Sequence, residues 1–499
     1  MVFSSVVFLC FFLPIMILGY YALPGKVRNI WLLLGSLFFY AWGEPKYIFI
    51  MVASIVGNYL FGILIHFFAL REKHGLGHVV AKKITLAVTI LYNLGILFYF
   101  KYFNLFMETI NEFSNKEISW IRVALPIGIS FYTFQGMSYV IDVYRGDCKE
   151  DRSGNVCELV QKNPLNLALY ISMFPQLIAG PIVRYTDIRD SLKSRVTNTD
   201  TFTKGAERFI IGLAKKAILA NSIGEVADKI FGAEFEFMGV PVAWLGAVCY
   251  TLQIYYDFSG YSDMAIGLGK IFGFDFLENF NYPYISRSIT EFWRRWHISL
   301  SSWFRDYLYI PLGGNRRGNV YVNLIIVFIA TGIWHGAAWS FLIWGLWHGL
   351  FMLIERYFRK SGKPNPFARV PACFKWLYSM LVVILGWVLF KLENVPDTLA
   401  YIGSMFGKGA GGYTEFSVRY YLDNKMIVIL VIGILACIPF KEVLPVLPKG
   451  AGRVLGVIVC AKPGKLMFAV RRVLLIVLLL LSMLFVVNST YNPFIYFRF

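Results

Sequence analysis

Residues Val320 to Ile354 read VYVNLIIVFIATGIWHGAAWSFLIWGLWHGLFMLI, with no Asp, Glu, Lys or Arg. Arg316 and Arg317 precede this run, and Glu355 and Arg356 close it. An apolar run of this length is membrane material. It nevertheless contains His335, inside Gly332-Ile333-Trp334-His335-Gly336, and His348, inside Trp347-His348-Gly349. An ionisable group in hydrocarbon costs a few kcal/mol or more, so it faces a protein interior and tends to do a job. His335 is therefore the first candidate for chemistry. Both flanks read as basic, which places both on the cytoplasmic side. About 35 residues of helix rise about 52 Å, whereas two full crossings of a ~30 Å core need about 60 Å. The run is expected to form a hairpin of two short helices that turns near Gly332, Gly336 and Ser340, with His335 at its tip. One long, tilted and kinked span is the alternative.

The remainder of the chain has the same character. Of 499 residues, 57% are hydrophobic and 16% charged, against about 25% charged in soluble proteins. Apolar runs recur at 2–20, 47–69, 84–103, 206–221, 240–256, 376–391, 426–440 and 473–487. The fold class expected is all-α, a polytopic integral membrane protein of roughly 11–13 transmembrane or re-entrant helices. The first run lacks a basic leader region and is followed by further spans, so it reads as a helix rather than a signal peptide. No linker, low-complexity segment or repeat divides the chain. One membrane domain over 1–499 is expected, with a core over 125–350 and a short tail over 488–499.

The formal charge of +18 does not indicate nucleic-acid binding, because the basic residues fall in short loops between apolar runs. That distribution orients a membrane protein. The basic loops 71–83, 356–375 and 447–472 should be cytoplasmic; 104–119 and 392–425 should face out. By parity the N-terminus and Asn488 to Phe499 also lie outside. Seven cysteines are scattered without a CxxC pair. Cys148 and Cys157 share a polar loop and could bridge, although a cytoplasmic loop would keep them reduced.

Three stretches depart from the alternation of span and loop. Leu125 to Gly146 is LPIGISFYTFQGMSYVIDVYRG, apolar but carrying Ser130, Thr133, Gln135, Asp142 and Arg145. Phe174 to Tyr185 is FPQLIAGPIVRY, whose prolines and glycine argue against an unbroken helix. Tyr255 to Gly318 is the most polar region of any length. Broken backbone inside a membrane is tolerated where it lines a cavity or packs on protein, so these are expected to be cavity walls.

The third stretch contains Tyr255-Tyr256-Asp257-Phe258-Ser259-Gly260-Tyr261-Ser262-Asp263, Glu278-Asn279-Phe280-Asn281-Tyr282-Pro283-Tyr284, Glu291-Phe292-Trp293-Arg294-Arg295-Trp296-His297 and Arg305-Asp306-Tyr307-Leu308-Tyr309-Ile310-Pro311-Leu312-Gly313-Gly314-Asn315-Arg316. With the two earlier stretches and GIWHGAAWSFLIWG, this series resembles the signature of the membrane-bound O-acyltransferase superfamily. It is similar above all to the bacterial branch that acetylates alginate and peptidoglycan and D-alanylates wall polymers. The resemblance covers the whole chain and is densest over 125–350. It implies a helical shell around a central tunnel, with the family's histidine at His335 and a second polar site residue at His297. It also implies transfer of an acyl group from an intracellular thioester to a hydroxyl, with delivery to an extracellular polysaccharide.

The residue chemistry agrees. Imidazole titrates near neutral pH and can take a proton from a hydroxyl that attacks a carbonyl. No GxSxG or HExxH motif competes for the role. His297 either acts at the site, orients His335 or lines the tunnel; Trp-Arg-Arg-Trp-His could also be an interfacial anchor. His348 is expected to pack or hydrogen-bond, and His66, His74 and His78 to be incidental. Arg294, Arg295, Arg305, Arg316 and Arg317 form a basic cluster that suits a phosphate-bearing donor or an acidic carrier protein. The other reading is orientation charge and lipid phosphate contact, with Asp257, Asp263 and Asp306 neutralising some of these arginines.

The tail Tyr491-Asn492-Pro493-Phe494-Ile495-Tyr496-Phe497-Arg498-Phe499 resembles the C-terminal motif of a small companion protein in D-alanylation. That resemblance implies that Tyr496 carries the acyl group in transit; an aromatic interfacial anchor is the other reading. Tyrosine, with a pKa near 10, needs a base for this. No tightly bound cofactor is implied, only a donor, either acetyl-CoA or an acyl carrier protein thioester. The expected partners are an extracytoplasmic esterase-like transferase of the SGNH type, an acyl carrier protein, the polysaccharide and membrane lipids, with no nucleic acid. The polymer stays open among alginate, peptidoglycan, a secondary wall glycan and cellulose. The rival readings are a transporter or flippase, a protein- or lipid-directed acyltransferase, and a scaffold.

Overall fold

The computed structural model describes residues 1–71, 76–114, 118–146, 159–178, 180–360, 369–408, 416–439, 465–489, 491–493 and 495. Among these residues the regular structure is helical, without a strand. Four described helices are long and apolar enough to cross a membrane: Ile48–Leu70, Leu76–Ser114, Ala372–Lys391 and Ala469–Asn488. Shorter apolar helices run Phe8–Ala22, Val320–His335 and Asn424–Ala436. The chain is an integral membrane protein of the all-α class, as its composition indicated. Cys148, Cys157 and His74 lie outside the described residues.

Two compact units are present, Met1–Phe209 with Met264–Leu277, and Ile210–Asp263 with Glu278–Phe499. The first contains α1 (Leu13–Ala22), α2 (Arg28–Gly43), α3 (Ile48–Leu70), α4 (Leu76–Leu97), α5 (Phe103–Ser114), α6 (Ile129–Arg145), α7 (Pro164–Ser172), α8 (Phe174–Leu177) and α9 (Tyr185–Lys193). The helix α10 (Thr199–Ala214) has residues in both units. Within the first unit, α3 and α4 are joined by a reciprocal amide pair. Asn58 Nδ2 donates to Asn93 Oδ1 at 3.1 Å, and Asn93 Nδ2 to Asn58 Oδ1 at 2.9 Å. Such interhelical hydrogen bonds hold helices together where lipid offers no hydrophobic driving force.

The second unit contains α11 (Asn221–Phe231), most of α12 (Val240–Ile271), α13 (Ile289–Arg295), α14 (Ile298–Phe304), α15 (Val320–His335), α16 (Trp339–Lys360), α17 (Ala372–Lys391), α18 (Val395–Met405), α19 (Val418–Tyr421), α20 (Asn424–Ala436) and α21 (Lys465–Asn488). The run from Val320 to Ile354 is a hairpin. Asn319 starts α15 by accepting the Tyr321 N–H at 2.9 Å, a normal N-cap. The helix ends at His335, and Gly336 is fully extended before α16 begins. Both arms approach closely at two glycines. A Cβ on Gly332 would lie 2.5 Å from the Phe341 carbonyl oxygen, and one on Gly345 would lie 2.4 Å from that of Phe328.

The three polar stretches behave differently from one another. Phe174 to Tyr185 is broken between α8 and α9 as expected. Leu125 to Gly146 instead forms the unbroken α6, whose polar residues Ser130, Thr133, Gln135 and Asp142 are buried. Tyr255 to Asp263 lies inside α12, which runs on to Ile271 without interruption. Its carboxylates pair with lysines of the preceding π-helical turn. Asp257 pairs with Lys216 at 2.5 Å, and Asp263 with Lys215 at 2.7 Å. A buried charge is tolerated when paired, so the helix needs no break.

Candidate active site

His335 is the last residue of α15 and is 2% exposed. Its ring meets three aromatic rings edge-on: Trp334 at 4.9 Å, Trp344 at 4.9 Å and Phe390 at 5.3 Å. The hairpin supplies the first two, and α17 supplies Phe390. The fourth neighbour is His297, with ring centroids 6.4 Å apart. The structure thus brings together two histidines that are far apart in sequence.

His297 joins α13 to α14 with a positive φ of 44°, rare for a residue with a side chain. Such backbone persists only where its surroundings over-determine it. Here Asn279 does so. Its carbonyl oxygen accepts the Ile298 N–H at 3.0 Å. Its Oδ1 accepts the Ser299 N–H at 3.2 Å and the Ser299 hydroxyl at 2.9 Å, and lies 3.1 Å from His297 Nδ1. A backbone N–H can only donate, so the Asn279 atom facing it must be oxygen. His297 Nδ1 must then carry the proton, which leaves the lone pair of neutral imidazole on Nε2. The Phe258 ring lies edge-on at 4.6 Å. Asn279 is a site residue that sequence reading passed over. It lies in a polar stretch with no local signature of its own.

His348 is fully buried, against Phe292 at 6.0 Å, Trp293 at 5.4 Å and Trp344 at 5.2 Å. Packing was one of the two expectations for it. Trp344 therefore separates His335 from His348. His66 and His78 lie near the ends of α3 and α4, in the other unit.

A cleft of about 500 Å³ opens beside the hairpin, lined by Arg294, Arg305, Arg356 and Arg359 and also by Val327, Phe328, Thr331 and Ile298. Thr331 precedes His335 by one helical turn, and Ile298 follows His297. An adjoining cleft of about 650 Å³ includes Arg294, Arg295 and Arg359. Of the arginines singled out by sequence, Arg294 and Arg305 thus line the first cleft. Arg295 lines the second and pairs with Glu291 at 3.0 Å. Arg316 is exposed in the turn before α15 and lines neither. Asp306 binds Arg305 through two contacts, 2.7 and 3.0 Å, which raises the guanidinium pKa further and keeps it charged. Asp306 thus neutralises an arginine of the cluster, one of the expectations for it. Arg356 and Arg359, from the end of α16, were not included in that cluster. Glu355 beside them caps α13, accepting the N–H groups of Ile289 at 2.6 Å and Thr290 at 2.9 Å.

Tyr496 lies outside the described residues. The segment before it does not hang free as a short tail. Ile495 is buried, and its N–H donates to Asp257 at 2.9 Å. No group of three or more His, Cys, Asp or Glu among the described residues could hold a metal.

The model of the membrane-bound O-acyltransferase family matches residues 110–392. The chain is 40% identical, over 100% of both chains, to a probable alginate O-acetylase of Pseudomonas putida. It is 36% identical to a peptidoglycan O-acetyltransferase of Helicobacter pylori, over 82% of this chain and 80% of that one. Similarity extends at 30% identity to a teichoic acid D-alanyltransferase of Bacillus subtilis, over 51% of this chain and 62% of that one.

Proposed function

The chain belongs to the membrane-bound O-acyltransferase family and is a membrane acyltransferase, and from that premise we propose that it moves an acetyl group from a cytoplasmic thioester across the membrane for O-acetylation of an extracellular or cell-wall polysaccharide. The observation that carries this reading is the buried His335, facing His297, with a cleft lined by four arginines reaching Thr331, one helical turn before His335, and Ile298, next to His297. The similarity to alginate and peptidoglycan O-acetylating enzymes supports acetyl as the group and a polysaccharide as its destination.

The donor is acetyl-CoA or an acyl carrier protein thioester, with its phosphates at the arginine rim and its thioester toward Thr331. His335 acts as the general base. The hydroxyl proton passes to imidazole, the oxygen bonds to the acyl carbon, and the C–S bond breaks. The proton then leaves imidazole for the departing thiolate. His297 assists from the other side of the site, through its Nε2. The accepting hydroxyl is that of Tyr496, which hands the group to a polysaccharide through an SGNH-type partner outside. Wild-type, His335→Ala and Tyr496→Phe protein in proteoliposomes, supplied with labelled acetyl-CoA, test the scheme. His335→Ala is expected to lower kcat by roughly 10²–10⁴ with donor KM little changed. Retained transfer by His335→Ala overturns the mechanism, and full transfer by Tyr496→Phe overturns the relay.

A further inference from the structure

The pair of Lys216 and Asp257 is the most buried ion pair among the described residues, with side chains 1% and 2% exposed. Nothing in the chemistry above uses it. Burying two charges costs several kcal/mol per ion before their attraction offsets it. Such a pair gains from further hydrogen bonds, and here the main chain of the segment after α21 supplies two. Asp257 Oδ1 takes Lys216, while Oδ2 accepts the Ile495 N–H at 2.9 Å. Lys216 Nζ donates to the Pro493 carbonyl. Lys216 sits in a π-helical turn, Lys215–Ala220, between α10 and α11, and such turns often re-aim side chains at functional sites.

A second anchor lies just before it. The Tyr491 hydroxyl donates to Asp228, which Lys391 also pairs at 2.5 Å. Asn221 Nδ2 donates to Asn492 Oδ1 at 3.2 Å. The residue after Asp257 is Phe258, whose ring touches His297. The segment is thus pinned to the turn of α12 that borders the site.

We propose that the Lys216–Asp257 pair is a main-chain clamp that seats Pro493 and Ile495 on the turn of α12 next to Phe258, making Lys216 and Asp257 positioning residues for the proposed acyl relay. The positioning role rests on the Tyr496 relay; the seating does not. A clamp on backbone groups sets register without specifying side chains, and a misplacement of 1 Å at a reacting atom can slow transfer about 10²-fold.

Full-length protein in nanodiscs decides it, by hydrogen–deuterium exchange and by transfer from labelled acetyl-CoA. Two variants are compared with wild type, Asp257→Asn and the charge-free double variant Lys216→Met with Asp257→Leu. The double variant removes both ions together, so it leaves no buried charge unpaired to unfold the protein. In both variants the Ile495 amide should exchange at least about tenfold faster while α15 and α16 keep their protection. Their kcat should fall at least about tenfold with donor KM within about twofold. Unchanged protection at Ile495 in both variants overturns the seating. Wild-type kcat in the double variant, with Ile495 exchanging freely, overturns the positioning role. Full transfer by Tyr496→Phe removes the relay and the positioning role with it, leaving the seating to the exchange data alone.

Discussion

A single amide at Asn279 decides the state of His297. Its Oδ1 serves the Ser299 N–H, the Ser299 hydroxyl and His297 Nδ1 together. Replacing Asn279 with Leu removes that acceptor, frees the tautomer and leaves only the Asn279 backbone carbonyl supporting the positive φ of His297. Removing such an outer partner costs about 10–100-fold in activity at metal-bound histidines, and a similar fall in kcat is expected here. Asn279→Asp keeps an acceptor and should retain more activity; steady-state kinetics on the two variants check the order. The candidacy of His335 was legible from sequence because a histidine in a charge-free run is conspicuous. Lys215 and Lys216 lie in the apolar run 206–221, but that run also holds Glu207 and Arg208, so they stand out less. Asn279 offered no such contrast, being one polar residue among several.

The α15–α16 hairpin holds the site through its tight crossing. Gly332 and Gly345 permit it, because a side chain at either would meet backbone carbonyl oxygen rather than a movable side chain. Gly332→Leu should therefore force the arms apart and cost about 1–3 kcal/mol, read as a lowered thermal transition in detergent together with lost transfer. Small residues at such crossings are the rule where helices pack in lipid. The hairpin itself could be anticipated from flanking charge and run length, which are local quantities. The unbroken course of α12 through Asp257 and Asp263 could not, because it depends on the lysines that receive those carboxylates.

Across the whole chain, +18 of net charge must be reconciled with an apolar solvent. Part of the excess is gathered at the cleft rim, where Arg294, Arg356 and Arg359 join Arg305. Asp306 offsets Arg305, so on the proposed reading donor recruitment falls mainly to the other three. Arg294→Gln with Arg359→Gln is expected to raise the donor KM about tenfold while kcat holds, and added salt should raise the wild-type KM in the same direction. Initial rates against donor concentration at two ionic strengths check both.

The helical class, the membrane setting, the hairpin and the candidacy of His335 followed from sequence alone. Each rests on spacing and charge along a short stretch of chain. The tertiary structure alone decided which groups meet: His297 with His335, Asn279 with His297 and Ser299, and Asp257 with the Ile495 amide 238 residues away. Hydropathy and loop charge constrain where a segment lies in the bilayer. They carry no information about which distant polar atom will satisfy a buried one, and in this protein that choice sets the geometry around the histidines.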